Sequence, residues 1–451
     1  TAGSSAAQST TLTRTTDGTS TVTMTNNMGL SNLGSPASYG STSAPSTGTP
    51  QPFTLTSASS GALPFAIGYA MSQGHVPAGQ SLSFSGATAK LTVLSTWPDG
   101  SARHGIIAGT YTSASAVTAT PTVATVTAGT ALTGAAVQTA MGANTAVFDA
   151  GAFGSVTFSG ADFATPFVTH AATDSFIEAI YRKQIGSDAH LVAWLALRVW
   201  SSGQVEALPW VENGYLTVAG PTNKSATYSF TLGGTSRFSE AIDLPNHCRT
   251  PLVSGSALSH WLGTDPAVTP THDKAYLQAT RLVPTYSATV GSSDAIVTGL
   301  PSTYTPLQQG SYPTGMGGAG YHGSIGVLPQ WDAIHLTTTA SSPWAALQRN
   351  AYSAGRYGIH FRDETTNRPA AFSSHSTLVL GAGNGVSAVG TSSASNYTPA
   401  ATGTSPQAYT NTHHPSMGFM AYLLTGRFYH LETLQFLAAA NYLKNGNTTR
   451  Q

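Results

Sequence analysis

Residues 190–200 read HLVAWLALRVW, the strongest strand signal in the chain. Apolar side chains occupy odd and even positions alike, so both faces of an extended segment would be covered. The run predicts a central strand between two packed layers. Ser201-Ser202-Gly203 turns the chain and Val205–Val211 returns, while Ser175–Tyr181 alternates just ahead. Tyr228, Phe230 and Leu232 mark a further strand ending at Gly233-Gly234. Strands follow strands without an intervening helical pattern, which argues for an antiparallel sandwich rather than a parallel α/β fold.

The same alternation extends towards the N-terminus. Phe65, Ile67 and Tyr69 alternate, His75–Gly79 is turn-like, and Leu82 and Phe84 open another strand. Leu91 and Val93 then lead to Trp97-Pro98-Asp99-Gly100-Ser101. There Pro presets φ and Gly accepts φ > 0, so the segment predicts a corner with a buried tryptophan, and Asp99 reads as a turn-former. Residues 1–60 form a Ser/Thr/Gly tract. Within it Thr10–Thr25 suggests a hairpin of Thr-rich strands around Asp17-Gly18. This tract reads as an arm or linker: a spacer, an anchor or a subunit contact.

The helical signals come late. Lys274–Leu282 reads as a strand or a short helix. Ser342–Tyr357 places Trp344, Leu347 and Ala351 on one face, closed by Gly355. Residues 412–443 place Met417, Met420, Leu423 and Leu424 at helical spacing, then a Gly426 stop, then Phe428, Leu431, Leu434, Leu437 and Ala438. Two antiparallel helices joined by a Thr-Gly turn are expected, with Thr412 as N-cap and His413 and His414 at their mouth. The expected organisation is an arm over 1–60, a β-sandwich region over 61–300 and a loop-rich, helical region over 301–451. The fold class is mainly β: a large antiparallel sandwich followed by a short helical part resembling the start of an α/α toroid.

Composition excludes several function classes. Only 8% of the 451 residues are charged and the formal net charge is zero, against about a quarter charged in an ordinary globular protein. Nucleic-acid binding needs a basic stripe, and membrane insertion by a helix needs ~20 uninterrupted apolar residues; neither pattern occurs in the sequence. The lone Cys248 excludes an internal disulfide framework and reads as a small buried hydrophobe. A low-charge, hydroxyl-rich chain suits an extracellular or cell-surface protein, or alternatively a virion component.

Trp97–Ser101, Tyr321–Asp332, His360–Pro369 and His413–Glu432, in that order, resemble segments of the exo-rhamnogalacturonan lyase-like family. The resemblance runs through these islands over residues 61–451. It implies an N-terminal β-sandwich followed by an α/α toroid, and β-elimination of acidic polysaccharides. Only about three helices fall within the chain, so a homo-oligomer or a second chain completing the helical part is an expected partner, beside the polysaccharide itself.

Elimination needs a cation to neutralise the uronate carboxylate, a base for the adjacent proton and an acid for the leaving oxygen. Tyr and His suit the acid and base roles. The candidate catalytic residues are Tyr321, His322, His413, His414 and Tyr422. Arg356 and Arg362 are candidate carboxylate binders, and Trp331 is a candidate sugar platform. Arg362-Asp363-Glu364 reads more readily as a structural ion-pair turn than as a site. Most tryptophans, including Trp194, Trp200 and Trp210, fall among apolar neighbours and read as core. Hydrolysis would need two carboxylates across a cleft, and Asp332, Asp363, Glu364 and Glu432 show no distinctive pairing. No cofactor or metal is expected, because adjacent histidines diverge on a helix and the i, i+4 pair of zinc sites is missing. The alternative to a lyase is a structural or glycan-binding protein of a virion or cell surface.

Overall fold

The computed structural model describes residues 9–14, 20–25 and 48–443, apart from 114, 288, 314–322, 324, 372, 376–377, 379–400, 408 and 410–415. The chain divides into two compact units, Thr1–Ser46 and Thr47–Gln451. In the first, Ser9–Arg14 pairs antiparallel with Ser20–Thr25, with Leu12 opposite Val22. This is the Thr-rich hairpin the sequence suggests. The first strand of the second unit, Phe53–Thr56, lies inside the stretch expected as an arm, because Phe53 and Leu55 are fully buried.

The second unit is mainly β, with several antiparallel sheets and a few helices. Its N-terminal part stacks two small sheets over one core. One sheet orders Gly61–Ala70, Ala102–Ser113 and Thr88–Thr96; the other includes Phe53–Thr56, Ala116–Ala124 and Ser81–Ser85. Phe53, Phe65, Ile67, Tyr69 and Leu82 fill the space between them. At the Trp97 corner the Gly100 N–H donates to Trp97 O (2.9 Å), and Asp99 Oδ1 accepts from the Ser101 N–H (3.0 Å) and hydroxyl (2.6 Å). Asp99 thus shapes the turn. Trp97 is half-buried beneath the Arg103 guanidinium rather than sealed in the core.

The central sheet orders Val168–Ala172, Phe176–Gln184, Leu191–Trp200, Val205–Asn213 and Cys248–Pro251, with His260–Trp261 also pairing to Val205–Asn213. Every residue of Leu191–Trp200 is buried, as its two-sided apolar pattern requires. Odd positions, Leu191 to Val199, face a core shared with a second sheet built from Ala146–Asp149, Ser155–Phe158, Lys224–Leu232 and Thr235–Leu244. The Lys224–Leu232 to Thr235–Leu244 hairpin turns through Gly233 and Gly234, both at positive φ, which L side chains resist at both turn positions.

Even positions face the helical layer. Val192, Trp194 and Ala196 pack there with Trp210, Tyr352, Phe428 and Tyr429. That layer contains the helices Gln330–Thr337, Pro343–Ser353, Phe419–Thr425 and Phe428–Leu443. Lys274–Ala279 is a short helix capped by Asp273, whose side chain accepts from the Tyr276 N–H. The helix Phe419–Thr425 ends at Gly426 in the left-handed conformation, as the sequence predicts. Its close approach to the strand Gly61–Ala70 requires Gly68, where an added Cβ would lie 2.4 Å from Leu423 O. The expected N-cap, Thr412, lies outside the described residues.

Candidate functional site: a cavity at the end of an acid–base row

The charged residues of this chain are few, yet many are internal. Among the described residues, six cationic side chains (Arg198, Lys224, Arg249, Arg349, Arg362, Arg427) and six acidic ones (Glu178, Glu206, Glu212, Asp332, Asp363, Glu432) are buried. Buried charges must be paired or hydrogen-bonded to be tolerated. Strand register explains much of their placement. Glu178 lies opposite Arg198, Arg198 opposite Glu206, and Glu206 opposite Trp261. An acid–base–acid row therefore crosses three strands on the helix-facing side of the sheet and ends on a tryptophan.

The helical layer completes the row. Arg198 Nε donates to Glu178 Oε2 (2.8 Å) and its Nη2 to Thr425 O (2.8 Å), while the Phe428 N–H donates to Glu178 Oε1 (2.8 Å). Arg427 Nη2 and the Ser259 hydroxyl both donate to Glu206 Oε1, the latter over 2.5 Å. Glu206 Oε2 accepts no hydrogen bond among the described residues. Burial alone would raise the Glu206 carboxyl, but Arg427 and Arg198 outweigh it and hold it below the usual carboxylate range.

Beside this row opens a cavity of about 370 Å³, within the size range of small-molecule sites, roughly 300–1,000 Å³. Arg198, Glu206 and Arg427 form one part of its wall. Trp200 and Trp261, stacked with centroids 5.5 Å apart, form another, and Trp344 a third. Trp200 is fixed by its indole N–H, which donates to Phe65 O (3.1 Å). Asp265 stands at the rim on the loop after Trp261, with Oδ1 accepting from the Ala267 N–H (2.7 Å). One side of Asp265 meets solvent; burial of the other raises its carboxyl above the ordinary value, and nearby Glu206 adds to the rise.

Arg349, on the helix Pro343–Ser353, also lines the cavity and is only 6% exposed. Its Nη1 and Nη2 donate to Pro301 O (3.2 Å) and Ser256 O (2.9 Å), and its Nε has no partner. Among the described residues no carboxylate pairs with it, and burial lowers its guanidinium pKa.

A second cluster accounts for Arg362. Its Nη1 and Nη2 donate to Glu432 Oε1 (2.8 Å) and Oε2 (2.7 Å), its Nη2 also to Glu212 Oε2 (2.8 Å), and its Nε to Glu212 Oε1. Arg249 Nη1 joins at Glu432 Oε2 (2.6 Å). Arg362 is 0% exposed, so the expectation that it binds a substrate carboxylate is corrected: both its acids are internal, and it serves as framework. Its neighbour Asp363 is tied to the turn, accepting from the Thr365 and Thr366 N–H groups and from His375.

Trp331 is likewise corrected as a sugar platform. It is 4% exposed and packs edge-to-face on Tyr312, 4.7 Å between centroids, because its helix face turns inward. Arg356 is half-buried and its Nη2 donates to Gln407 Oε1 (3.3 Å). The Tyr422 ring lies 4.8 Å from that of His104, and burial pushes its phenol up to about 12. His104 is itself buried, with Nε2 against Leu423 O (3.0 Å), so its Nδ1 is closed to a polymer. Among the described residues, no hydrogen bond or ring contact joins Tyr422, Arg356, Arg362 and Trp331 to one another. Tyr321, His322, His413 and His414 lie outside the described residues.

The cavity residues escaped the sequence reading, although a signal existed. Arg198 is the one charge of Leu191–Trp200, and Glu206 shares the strand Val205–Asn213 with Glu212 among mostly apolar residues, which marks buried pairs rather than a solvated face. Nothing local, however, brings Asp265 or Arg349 to them. Comparison with protein families, curated proteins and solved structures returns no match for this chain.

Proposed function

We propose that this is a carbohydrate-active protein that receives an acidic saccharide in the cavity between the central sheet and the helix Pro343–Ser353. The observation that carries the reading is Arg349, a buried guanidinium without a carboxylate partner among the described residues, lining a cavity walled by tryptophans. A uronate carboxylate would supply the missing counter-charge. Indole faces suit the apolar side of a pyranose, and the Ser256 and Ser259 segment offers polar groups for hydroxyls.

The lyase resemblance belongs to the same proposal. The Trp97–Ser101 corner and the consecutive helices Phe419–Thr425 and Phe428–Leu443, read as the start of an α/α toroid, support it. In an elimination Arg349 would take the carboxylate-neutralising role. The base and acid would come from Tyr321, His322, His413 and His414. A secreted or surface setting, and a second copy or chain completing the helices, are parts of this proposal.

Titration of tryptophan fluorescence with pectic, alginate and glycosaminoglycan oligosaccharides, beside neutral glucans, tests it. An acidic oligosaccharide should bind, and Arg349→Met should weaken it by more than about tenfold, the order of a buried charge-assisted contact. Equal affinity for neutral glucans, or an unaffected Arg349→Met variant, would sink the reading. Binding without any cleavage would favour the glycan-binding alternative.

A further inference from the structure

We infer that Glu206 and Asp265 are the two carboxylates of a glycoside hydrolysis carried out in this cavity. The inference rests on the saccharide reading above, and it sets hydrolysis in place of the elimination that the lyase resemblance implies. Both residues line the same cavity, one within its wall and one at its rim. They come from separate segments that one strand pairing brings together: Glu206 is register partner to Trp261, and Asp265 follows four residues later. Arg349, buried in the same wall without a carboxylate partner among the described residues, gives the space a cation for an acidic sugar.

The two environments divide the labour. Glu206 is held ionised by Arg427 and Arg198, and its Oε2 is not engaged by any described residue. Asp265, raised by partial burial and by the neighbouring Glu206 charge, holds a proton more readily than a free aspartate, although Arg427 opposes the rise. Two carboxyl groups with pKa values pushed apart across a sugar site fit an acid and a base. The Asp265 proton passes to the glycosidic oxygen as its bond to C1 breaks. A water oxygen bonds to C1, and its proton passes to Glu206. Solvent exchange then returns a proton from Glu206 to Asp265, so one water is consumed and nothing is oxidised or reduced.

The experiment follows new reducing ends from whichever acidic oligosaccharide binds, on the whole chain. Wild type should release them without forming the ultraviolet-absorbing conjugated uronate of an elimination. Asp265→Asn, at the solvent-facing rim, should bind within about twofold of wild type yet lose a factor of roughly 100 or more in kcat, the scale of general acid catalysis. An aryl glycoside, whose leaving group needs no proton, should restore most of that loss for Asp265→Asn and none of it for Glu206→Gln. Binding by wild type without new reducing ends overturns the hydrolysis and leaves the saccharide site standing. A conjugated product overturns it in favour of elimination, and full activity in Asp265→Asn overturns the acid assignment. Absence of binding to every acidic oligosaccharide removes the saccharide reading itself.

Discussion

Two buried charge clusters hold the helices against the central sheet, and they are built differently. Around Arg362, two glutamates meet two arginines, and all three Arg362 nitrogens are engaged. The aromatic rings of Trp194 and Phe436 cover the Arg362 guanidinium, which is 0% exposed. Around Arg198 and Arg427 the same chemistry borders a cavity, and among the described residues one glutamate oxygen is left unengaged and a further arginine stands without an acid. Closure in the first cluster marks a framework. Incompleteness in the second marks a place prepared for something that arrives.

The largest effect expected comes through acid, on histidines buried throughout the second unit. Burial lowers His104, His247 and His272 to about 4 from an ordinary 6.5. His360, buried beside Arg249 and Arg362, falls well below 6.5, and His430, buried near Arg427 and Arg249, does the same. Such groups bind protons more readily in the unfolded chain. Stability is therefore complete above pH 6.5 and is lost as pH falls from there towards 4, by up to on the order of 3 kcal/mol for each of His104, His247 and His272. The ion-paired Glu178, Glu206 and Glu432, all held below the usual carboxylate range, add loss in the same direction at lower pH. Far-ultraviolet circular dichroism from about pH 7 down to about pH 3 should show cooperative unfolding; a flat signal would mean that these histidines are solvated.

Next in size is Arg362→Met. It would strand Glu212 and Glu432 beside a single remaining cation, Arg249, at a cost of about 3–5 kcal/mol. Urea unfolding at neutral pH measures it. A loss under about 1 kcal/mol would show that the cluster is not the framework its geometry implies.

How much of this was legible beforehand follows the range of the forces. The two-sided apolar run Leu191–Trp200 announced a strand between two layers, and the structure buries all of it for that reason. The Gly426 stop, the helix carrying Trp344, Leu347 and Ala351 and the Gly233-Gly234 turn follow from local sequence and fell where the residues put them. Arg362 was open to either a binding or a structural reading, because its partners Glu212 and Glu432 are 150 and 70 residues away. Trp331 was misassigned to a sugar platform because helix-face orientation depends on packing against Tyr312. The cavity was illegible. Its walls combine strands near 65 and 200, a loop near 260 and a helix near 349, and only long-range register unites them.

A lone buried acid provides the mirror of Arg349. Asp332 is buried, its Oδ2 has no partner, and burial raises its carboxyl to about 8 from an ordinary 3.8. A raised acid contributes stability that is complete below pH 3.8 and is lost as pH rises towards 8. Asp332→Asn keeps the shape without the charge. Its advantage over wild type should grow across that window, to about 1–3 kcal/mol at neutral pH after loss of some hydrogen bonding. Urea unfolding at mildly acidic, neutral and mildly alkaline pH would show it; a pH-independent difference would mean that Asp332 stays ionised.

Smallest is the effect of Arg349→Met on stability, and it decides the comparison most directly. If Arg349 were framework like Arg362, removing it should cost several kcal/mol. Among the described residues it has no acid to strand, however, and its departure leaves the Pro301 and Ser256 carbonyls without its donors. Removing a desolvated, unpaired cation offsets much of that loss, so the net change in urea unfolding should stay within about 1 kcal/mol. A cost above roughly 3 kcal/mol would put Arg349 with the closed cluster and make its missing partner a packing accident. A near-neutral change together with lost binding of acidic oligosaccharides would mean that the charge is kept for a ligand, since the fold gains little from keeping it.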